Sequence, residues 1–160
     1  MKTTLCAVAS GIALAFAGSA AFATSTGNTN QTGYNNDASI SQAFNTDATA
    51  SIVQMGVKNI ANASQDRTYW NDTIGIKQTG YNNTANASQT HSGNADSYIQ
   101  QWGALNVAST HQSYGTNQDA TVIQAGYNNT ANVYQVGSSL NATAVQAGAK
   151  NVSTISQRGW

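Results

Sequence analysis

Apolar and polar residues alternate with a period of two through most of the chain after residue 24. Counting back by twos from Gln78 gives Ile76 and Ile74, and counting back from Gln135 gives Val133, while the residues in between are mostly Ser, Thr, Asn and Asp. This alternation is typical of a β-strand with one buried face. A helix would need an apolar residue every three or four positions, and none of these segments has one. The pattern predicts an all-β fold with no helices after the N-terminal segment.

The alternating segments belong to an internal repeat, Gln-x-Gly-x-x-Asn, with a second glutamine eleven residues after the first. Residues 77–89 (KQTGYNNTANASQ) and 123–135 (IQAGYNNTANVYQ) are near-copies, and the first glutamines of successive units are 23, 24, 23, 23 and 22 residues apart. Such a period indicates a repeat protein. The predicted repeats, which form one solenoid domain, are 25–47, 48–70, 71–94, 95–117, 118–139 and 140–160, and the first overlaps a short polar segment, 24–30.

Each repeat predicts a strand, a turn and a second strand. Gly takes a positive φ without steric cost and Asn tolerates one, so Gly-x-x-Asn can reverse the chain. A single two-stranded unit is not stable in water, and we therefore expect six units stacked as a β-solenoid with two facing, parallel, in-register cross-β sheets. Ser25, Gly27 and Thr29 at inward positions predict a weak first strand that frays.

Stacking explains why the amides are fixed while Ile, Val and Ala interchange. Identical amides ~4.7–4.8 Å apart can hydrogen-bond along the stack as ladders, and a buried amide without a partner costs about 1–3 kcal/mol. The predicted ladder residues, which we also expect to join molecules in a fibre, are Gln31, Asn36, Gln42, Gln54, Asn59, Gln65, Gln78, Asn83, Gln89, Gln101, Asn106, Gln112, Gln124, Asn129, Gln135, Gln146, Asn151 and Gln157. The predicted turn glycines are Gly33, Gly56, Gly80, Gly103, Gly126 and Gly148.

The N-terminus has the pattern of a secretory signal peptide. Lys2 is followed by an apolar run and a small-residue site of the Ala-x-Ala type, which predicts a signal peptide over residues 1–23 that is cleaved after Ala23. The only cysteine, Cys6, would be removed with it, leaving no disulfide. The predicted mature chain has five basic and six acidic residues, a formal charge of −1.

The low charge limits the possible functions. Only 12 of 160 residues are charged, so binding to nucleic acid has no electrostatic support. The scattered Asp residues and the two unmatched histidines, His91 and His111, predict no catalytic site, no metal site, no cofactor and no small-molecule substrate. The outward carboxylates Asp37, Asp96 and Asp119 serve either solubility or gatekeeping, in which stacked like charges slow premature assembly.

The open ends of such a stack favour self-association. The last repeat keeps the pattern to its end, and we expect both ends of the solenoid to be sheet edges that template another molecule.

In the longest link between repeats, residues 66–71 (DRTYWN) form either an adhesive aromatic patch or a simple loop.

The full pattern Gln-x-Gly-x-x-Asn-x-Ala-x-x-x-Gln resembles the curlin repeat of bacterial curli fibres. It occurs at Gln31–Gln42, Gln54–Gln65, Gln78–Gln89, Gln101–Gln112 and Gln124–Gln135, while Gln146–Gln157 has Ser153 in place of Ala. The resemblance covers residues 25–160. It implies a secreted functional amyloid that forms homopolymeric cell-surface fibres on a Gram-negative bacterium and serves biofilm matrix, adhesion and cell aggregation. It also implies two partners, a nucleator subunit and an outer-membrane secretion pore.

Two roles within that family, and one outside it, remain open at this point. Curlin major subunits often carry a Gly/Asn-rich export segment, for which only residues 24–30 are available here. The minor, nucleating subunit tends to be more basic in its last repeat, where this chain has only Arg158, so the major role is preferred. The alternative outside the family is a soluble, capped β-solenoid that acts as an adhesin or binding module.

Overall fold

The computed structural model describes residues 25–159, so the predicted signal peptide and Cys6 lie outside the described residues. The described residues form twelve strands and no helix, and therefore include no helix able to cross a membrane. The strands are β1 Thr26–Tyr34, β2 Asp37–Ala43, β3 Thr49–Val57, β4 Ile60–Asp66, β5 Thr73–Tyr81, β6 Thr84–Gly93, β7 Asp96–Ala104, β8 Val107–Thr116, β9 Gln118–Tyr127, β10 Thr130–Val136, β11 Leu140–Ala149 and β12 Val152–Arg158.

The strands form two six-stranded parallel sheets. Sheet A has the order β1-β3-β5-β7-β9-β11, and sheet B has the order β2-β4-β6-β8-β10-β12. Each pair of consecutive strands in the sequence is one rung of a β-solenoid, and the two strands of a rung face each other across the core instead of pairing. Neighbouring rungs are in register, so that Gln54 pairs with Gln78 and Gln78 with Gln101. The predicted all-β solenoid of six stacked units, with two facing parallel sheets, is confirmed.

The core is narrow because large residues of one sheet face small residues of the other. Sheet A contributes Ile52, Ile76 and Ile99, whereas sheet B contributes mostly alanines, such as Ala63 and Ala87, and all five are at most 3 % exposed. Successive residues of a strand point to opposite faces, so the alternation seen in the sequence corresponds directly to alternating burial. The inward positions that are not apolar are chiefly the amides of the repeat.

The first strand is more regular than the sequence predicts. β1 pairs with β3 along its whole length, from Thr26 opposite Thr49 to Tyr34 opposite Val57. The expected fraying is not seen, because pairing with a strong neighbouring strand compensates for the small apolar surface of Gly27 and Thr29. β1 and β2 form one edge of the described solenoid, and β11 and β12 form the other.

Candidate self-assembly site

A continuous ladder of glutamine side chains runs through sheet A. The Nε2 of each glutamine donates to the Oε1 of the glutamine in the next rung, with donor–acceptor distances of 2.7–2.8 Å from Gln31 to Gln146. The Nε2 of Gln78 also donates to the backbone carbonyl of Ile60 on the facing sheet, at 2.9 Å. The ladder therefore ties each rung to the next and also ties the two sheets together.

Sheet B carries a second glutamine ladder with the same direction. Its Nε2-to-Oε1 distances range from 2.8 to 3.1 Å, beginning with Gln42 donating to Gln65 and ending with Gln135 donating to Gln157. The inner glutamines of both ladders are at most 1 % exposed. Since a buried amide needs partners for its donors and its acceptor, no other common side chain could occupy these positions without leaving its neighbour unpaired.

An asparagine ladder runs through the Gly-x-x-Asn turn, which we call arc 1. Each asparagine amide donates to the asparagine of the preceding rung, whereas each glutamine donates to the next rung. The Nδ2 of Asn59 donates back to the Oδ1 of Asn36 in the preceding rung, at 3.1 Å, and the backbone N–H of Asn59 donates to the same oxygen at 3.0 Å. Equivalent bonds follow at Asn83, Asn106, Asn129 and Asn151. The amide-to-amide bonds of the asparagines thus run towards β1 and β2, whereas those of the glutamines run towards β11 and β12. The Nδ2 of Asn59 also donates forward, to the Gly80 carbonyl of the next rung at 3.1 Å.

The turn of Gly-x-x-Asn has the expected positive φ at its glycine but not at its asparagine. Gly80 has a φ of 127°, and a Cβ placed there would lie 1.9 Å from the carbonyl oxygen of Gly103. The fixed Asn, in contrast, does not have a positive φ, because its side chain is needed for the ladder. The left-handed residue is the one before it, Asn35, Lys58, Asn82, Leu105, Asn128 or Lys150, with φ between 52° and 59°.

The links from sheet B back to sheet A, which we call arc 2, contain interactions that the repeat did not predict. These links cover residues 44–48, 67–72, 94–95, 117 and 137–139, together with the ends of β6 and β8 at residues 91–93 and 114–116. Left-handed residues in these places include Phe44, Arg67, His91 and Tyr114. In the first link Asn45 acts like a ladder asparagine, donating to the Gln65 carbonyl at 3.0 Å and accepting from the Thr68 backbone N–H at 3.1 Å. Later rungs have Thr, Ser or Gly at this place, so no periodicity could have revealed it.

Asp72 is a buried carboxyl that sequence reasoning also missed. It is fully buried in arc 2, and its Oδ1 accepts a hydrogen bond from the Ala95 backbone N–H. Burial raises the pKa of Asp72 above its ordinary value of 3.8, the Asp96 carboxylate raises it further, and the Ala95 hydrogen bond opposes the rise. The only sequence signal was its place in the longest link between repeats.

The three proposed gatekeepers are all exposed, but their neighbours differ. Asp96 and Asp119 occupy paired positions on β7 and β9, which places two like charges in adjacent rungs. Asp37, by contrast, pairs with Ile60. Charge repulsion along the stack can therefore act at Asp96 and Asp119 and not at Asp37.

The two histidines stack on tyrosines of the next rung. His91 lies 5.1 Å from Tyr114 and His111 lies 5.0 Å from Tyr134, measured between ring centroids. Burial lowers the pKa of His111. In the part of the chain that the structure describes, no group of three or more His, Cys, Asp or Glu side chains could hold a metal ion.

The comparisons agree with this geometry. The curlin associated repeat family matches residues 126–159, which include every ladder position of the last two rungs except Gln124. Neither the curated proteins nor the solved structures gave a match. The matched segment carries the same pattern as the four rungs before it, and proteins of this family are structural. Residues 126–159 are therefore similar to the curlin associated repeat.

Proposed function

We propose that the chain is the structural subunit of an extracellular, curli-like amyloid fibre that grows by end-to-end stacking of solenoids. Three observations support this function: the similarity of residues 126–159 to the curlin associated repeat, the two parallel sheets, and the sheet edges at both ends of residues 25–159 that no other described strand covers. A parallel in-register stack is the arrangement of cross-β fibres, and the solenoid is already such a stack within a single molecule.

The observation that carries the proposal is the hydrogen-bond complementarity of the two ends. Among the described residues, Gln31 Oε1 and Gln42 Oε1 accept no hydrogen bond, and Gln146 Nε2 and Gln157 Nε2 donate only to backbone carbonyls. A second molecule stacked with its first rung on the last rung of the first molecule would supply the missing partners. Both glutamine ladders would then continue from one molecule to the next.

The asparagine ladder fits the same orientation. Asn151 Oδ1 has no donor within the described residues, and the Asn36 Nδ2 of the next molecule would take the place that Asn151 Nδ2 has towards Asn129. Contact between two identical ends would set glutamine donors against donors at the last rung, or glutamine acceptors against acceptors at the first, and would break the register of the strands. The interface is therefore heterologous, and a heterologous contact that does not close into a ring produces a filament.

The finer parts of the proposal follow from the family. The fibre would lie on the surface of a Gram-negative bacterium, would consist of this chain as its major subunit, and would serve biofilm matrix, adhesion and cell aggregation. A nucleator subunit and an outer-membrane secretion pore are its proposed partners. The chain itself would have no catalytic role.

The test is assembly of residues 24–160 diluted from denaturant, followed by thioflavin fluorescence with and without fibre seeds, and then by fibre diffraction. We expect a lag that seeds abolish and a meridional reflection at ~4.7–4.8 Å. Ile40→Lys places a charge on the half-buried inner face of the edge strand β2 and should block seeded growth, while Ser39→Lys on its exposed face is the matched control. A stable wild-type monomer with no seeding would contradict the proposal.

A further inference from the structure

The longest arc 2 link carries two exposed aromatic side chains that the ladder does not use. From Gln65 to Gln78 there are 13 residues, against 11 or 12 in the equivalent intervals elsewhere. In this link 53 % of Tyr69 and 62 % of Trp70 are exposed. A loop of this length needs no aromatic residue for its conformation, so the two rings require another explanation.

Tyr69 and Trp70 form one wall of a surface groove with a volume of about 270 Å³. His91, held by its stack on Tyr114, lines the groove as well. Gly93 and Gly115 line the groove without a side chain. The Cε3 atom of Trp70 lies 3.9 Å from the position that a Cβ would take on Gly93, so a side chain there would contact the indole.

Unpartnered polar atoms concentrate in the same place. Five buried side-chain polar atoms of residues 25–159 have no hydrogen-bond partner, and two of them, His91 Nδ1 and Ser92 Oγ, belong to residues of the groove. Two more, Thr68 Oγ1 and Asp72 Oδ2, lie in the adjacent link and close to each other, since the Thr68 hydroxyl lowers the pKa of Asp72. His91 and Ser92 line the groove, and Ser92 is fully buried. Buried polar groups nearly always have partners, so this cluster points to a ligand with hydrogen-bonding groups.

The surroundings restrict the chemistry of that ligand. A purely apolar occupant would leave Ser92 Oγ and His91 Nδ1 unpaired, at about 1–3 kcal/mol each. The lining of the groove contains no Lys, Arg, Asp or Glu, so neither an anion nor a cation would find an opposite charge there. A neutral ring with one apolar face and several hydroxyl groups satisfies all three conditions.

We propose that this groove binds a neutral pyranose ring of an oligosaccharide or polysaccharide. The C–H face of the sugar would stack on the Trp70 indole, since aromatic faces offer large contact surfaces with specific geometry. Sugar hydroxyls would pair with Ser92 Oγ and His91 Nδ1, which are both covered. Rotation about the Ser92 Cα–Cβ bond, and rotation of the imidazole about its Cβ–Cγ bond within the stack on Tyr114, would expose them. Pockets for small ligands are usually lined by apolar side chains with a small number of polar groups, and this groove has the same composition.

Fibre formation would multiply this site, and this part of the inference rests on the proposed function. Six rungs occupy roughly 29 Å along the stack, so one groove would recur at that interval along one side of the fibre. A long polysaccharide could contact several grooves at once, and linked sites raise the overall affinity by up to about 10²–10⁴ without new contacts.

The test measures the binding of cellohexaose and maltohexaose to the wild-type chain and to single variants. For fibres, the bound sugar is the amount that sedimented fibres remove from solution; for the soluble chain, binding is measured by calorimetry. Trp70→Ala should lower the bound sugar at least about tenfold, while Trp102→Ala, which removes an exposed indole from the outer face of β7, should not change it. Ser92→Ala and His91→Phe should each lower binding several-fold. Removing an unpartnered hydroxyl does not weaken a fold, so Ser92→Ala separates ligand binding from structure.

The outcomes are distinguishable from those of the fibre proposal. If wild-type chain binds neither sugar, or if Trp70→Ala binds as wild type does, the inference is wrong. If Trp70→Ala fails to assemble, the other two variants decide the inference. Unchanged sugar binding by Ser92→Ala and His91→Phe would overturn the sugar site, whereas lower sugar binding by fibres of these variants that assemble normally would support it. If wild-type chain forms no fibres, the proposed function fails, and calorimetry on the soluble chain still decides the sugar site. Thinner fibre bundles in Trp70→Ala without sugar binding by the wild type would make the groove a contact between copies instead.

Discussion

The Oδ1 of Asp72 lies 2.6 Å from the backbone nitrogen of Ala95, one rung further along the solenoid. This hydrogen bond joins the two rungs at arc 2, where the carboxyl of Asp72 is buried beside the Thr68 hydroxyl and near the Asp96 carboxylate. The interaction therefore depends on the protonation state of the carboxyl, and it leads to a prediction about pH.

Fibres should become less stable as the pH rises above about 4. Because the pKa of Asp72 is raised in the folded chain, its contribution is fully present below the unfolded pKa and is lost as the pH rises through the folded pKa. The measurement is the concentration of soluble chain in equilibrium with fibres between pH 4 and pH 8. Asp72→Asn keeps an acceptor for Ala95 and should flatten the rise in that concentration. An identical pH profile for Asp72→Asn and wild type would show that Asp72 does not titrate in this range.

Loss of one ladder glutamine should slow fibre growth. Gln135→Ala removes the donor to Gln157 and leaves the Nε2 of Gln112 without its 3.1 Å partner, a cost of about 1–3 kcal/mol. Gln157→Ala should act in the same direction at the growing interface. Seeded elongation rates from thioflavin fluorescence check both, with Ser156→Ala on the exposed face of β12 as the control. Equal rates in all three variants would remove the ladder argument.

A methyl group at a turn glycine should prevent close stacking of the rungs. In Gly80→Ala the new Cβ would lie 1.9 Å from the Gly103 carbonyl oxygen, in a backbone conformation that L-residues rarely adopt. We expect the soluble chain in equilibrium with fibres to increase more than about tenfold, which corresponds to 1.4 kcal/mol. Gly27→Ala, where the nearest atom would be 3.4 Å away and φ is ordinary, should change it little. A normal soluble concentration for Gly80→Ala would mean that the fibre does not keep this arc.

Neutralising a stacked carboxylate should shorten the lag before assembly. Asp119→Asn removes the repulsion from its register partner Asp96, and like charges directly opposite each other destabilise a sheet by roughly 0.2–1 kcal/mol. The effect should be largest at low salt, because salt screens exposed charges. Asp37→Asn is the comparison, since Ile60 is its neighbour in the stack. Equal shortening in both variants would favour a general effect of net charge over stacking repulsion.

The strands and the ladder positions could be predicted from sequence because the same pattern occurs in six successive repeats. Period-two alternation placed Ile76 and Gln78 on the inner face of one strand, and the constant interval of eleven residues placed Gln89 inside the facing strand. Arc 2 could not be predicted in the same way. Its length and residues vary from rung to rung, so Asn45, Asp72 and Ser92 carry no periodic signal, and only their burial in the folded chain shows what they contact.

The left-handed residues of the arcs have a consequence for the timing of assembly. Lys58, Leu105, Phe44 and Tyr114 adopt φ values of 53–58° without being glycine or asparagine, and each such residue costs roughly 1–2 kcal/mol. An isolated rung has no neighbour whose hydrogen bonds offset this strain, whereas a rung added to an existing stack gains a full set at once. Formation of the first rungs would therefore be slow, whereas addition of a rung to an existing stack, within the chain or at a fibre tip, would be fast. The proposed export, which precedes polymerisation, would benefit from that delay.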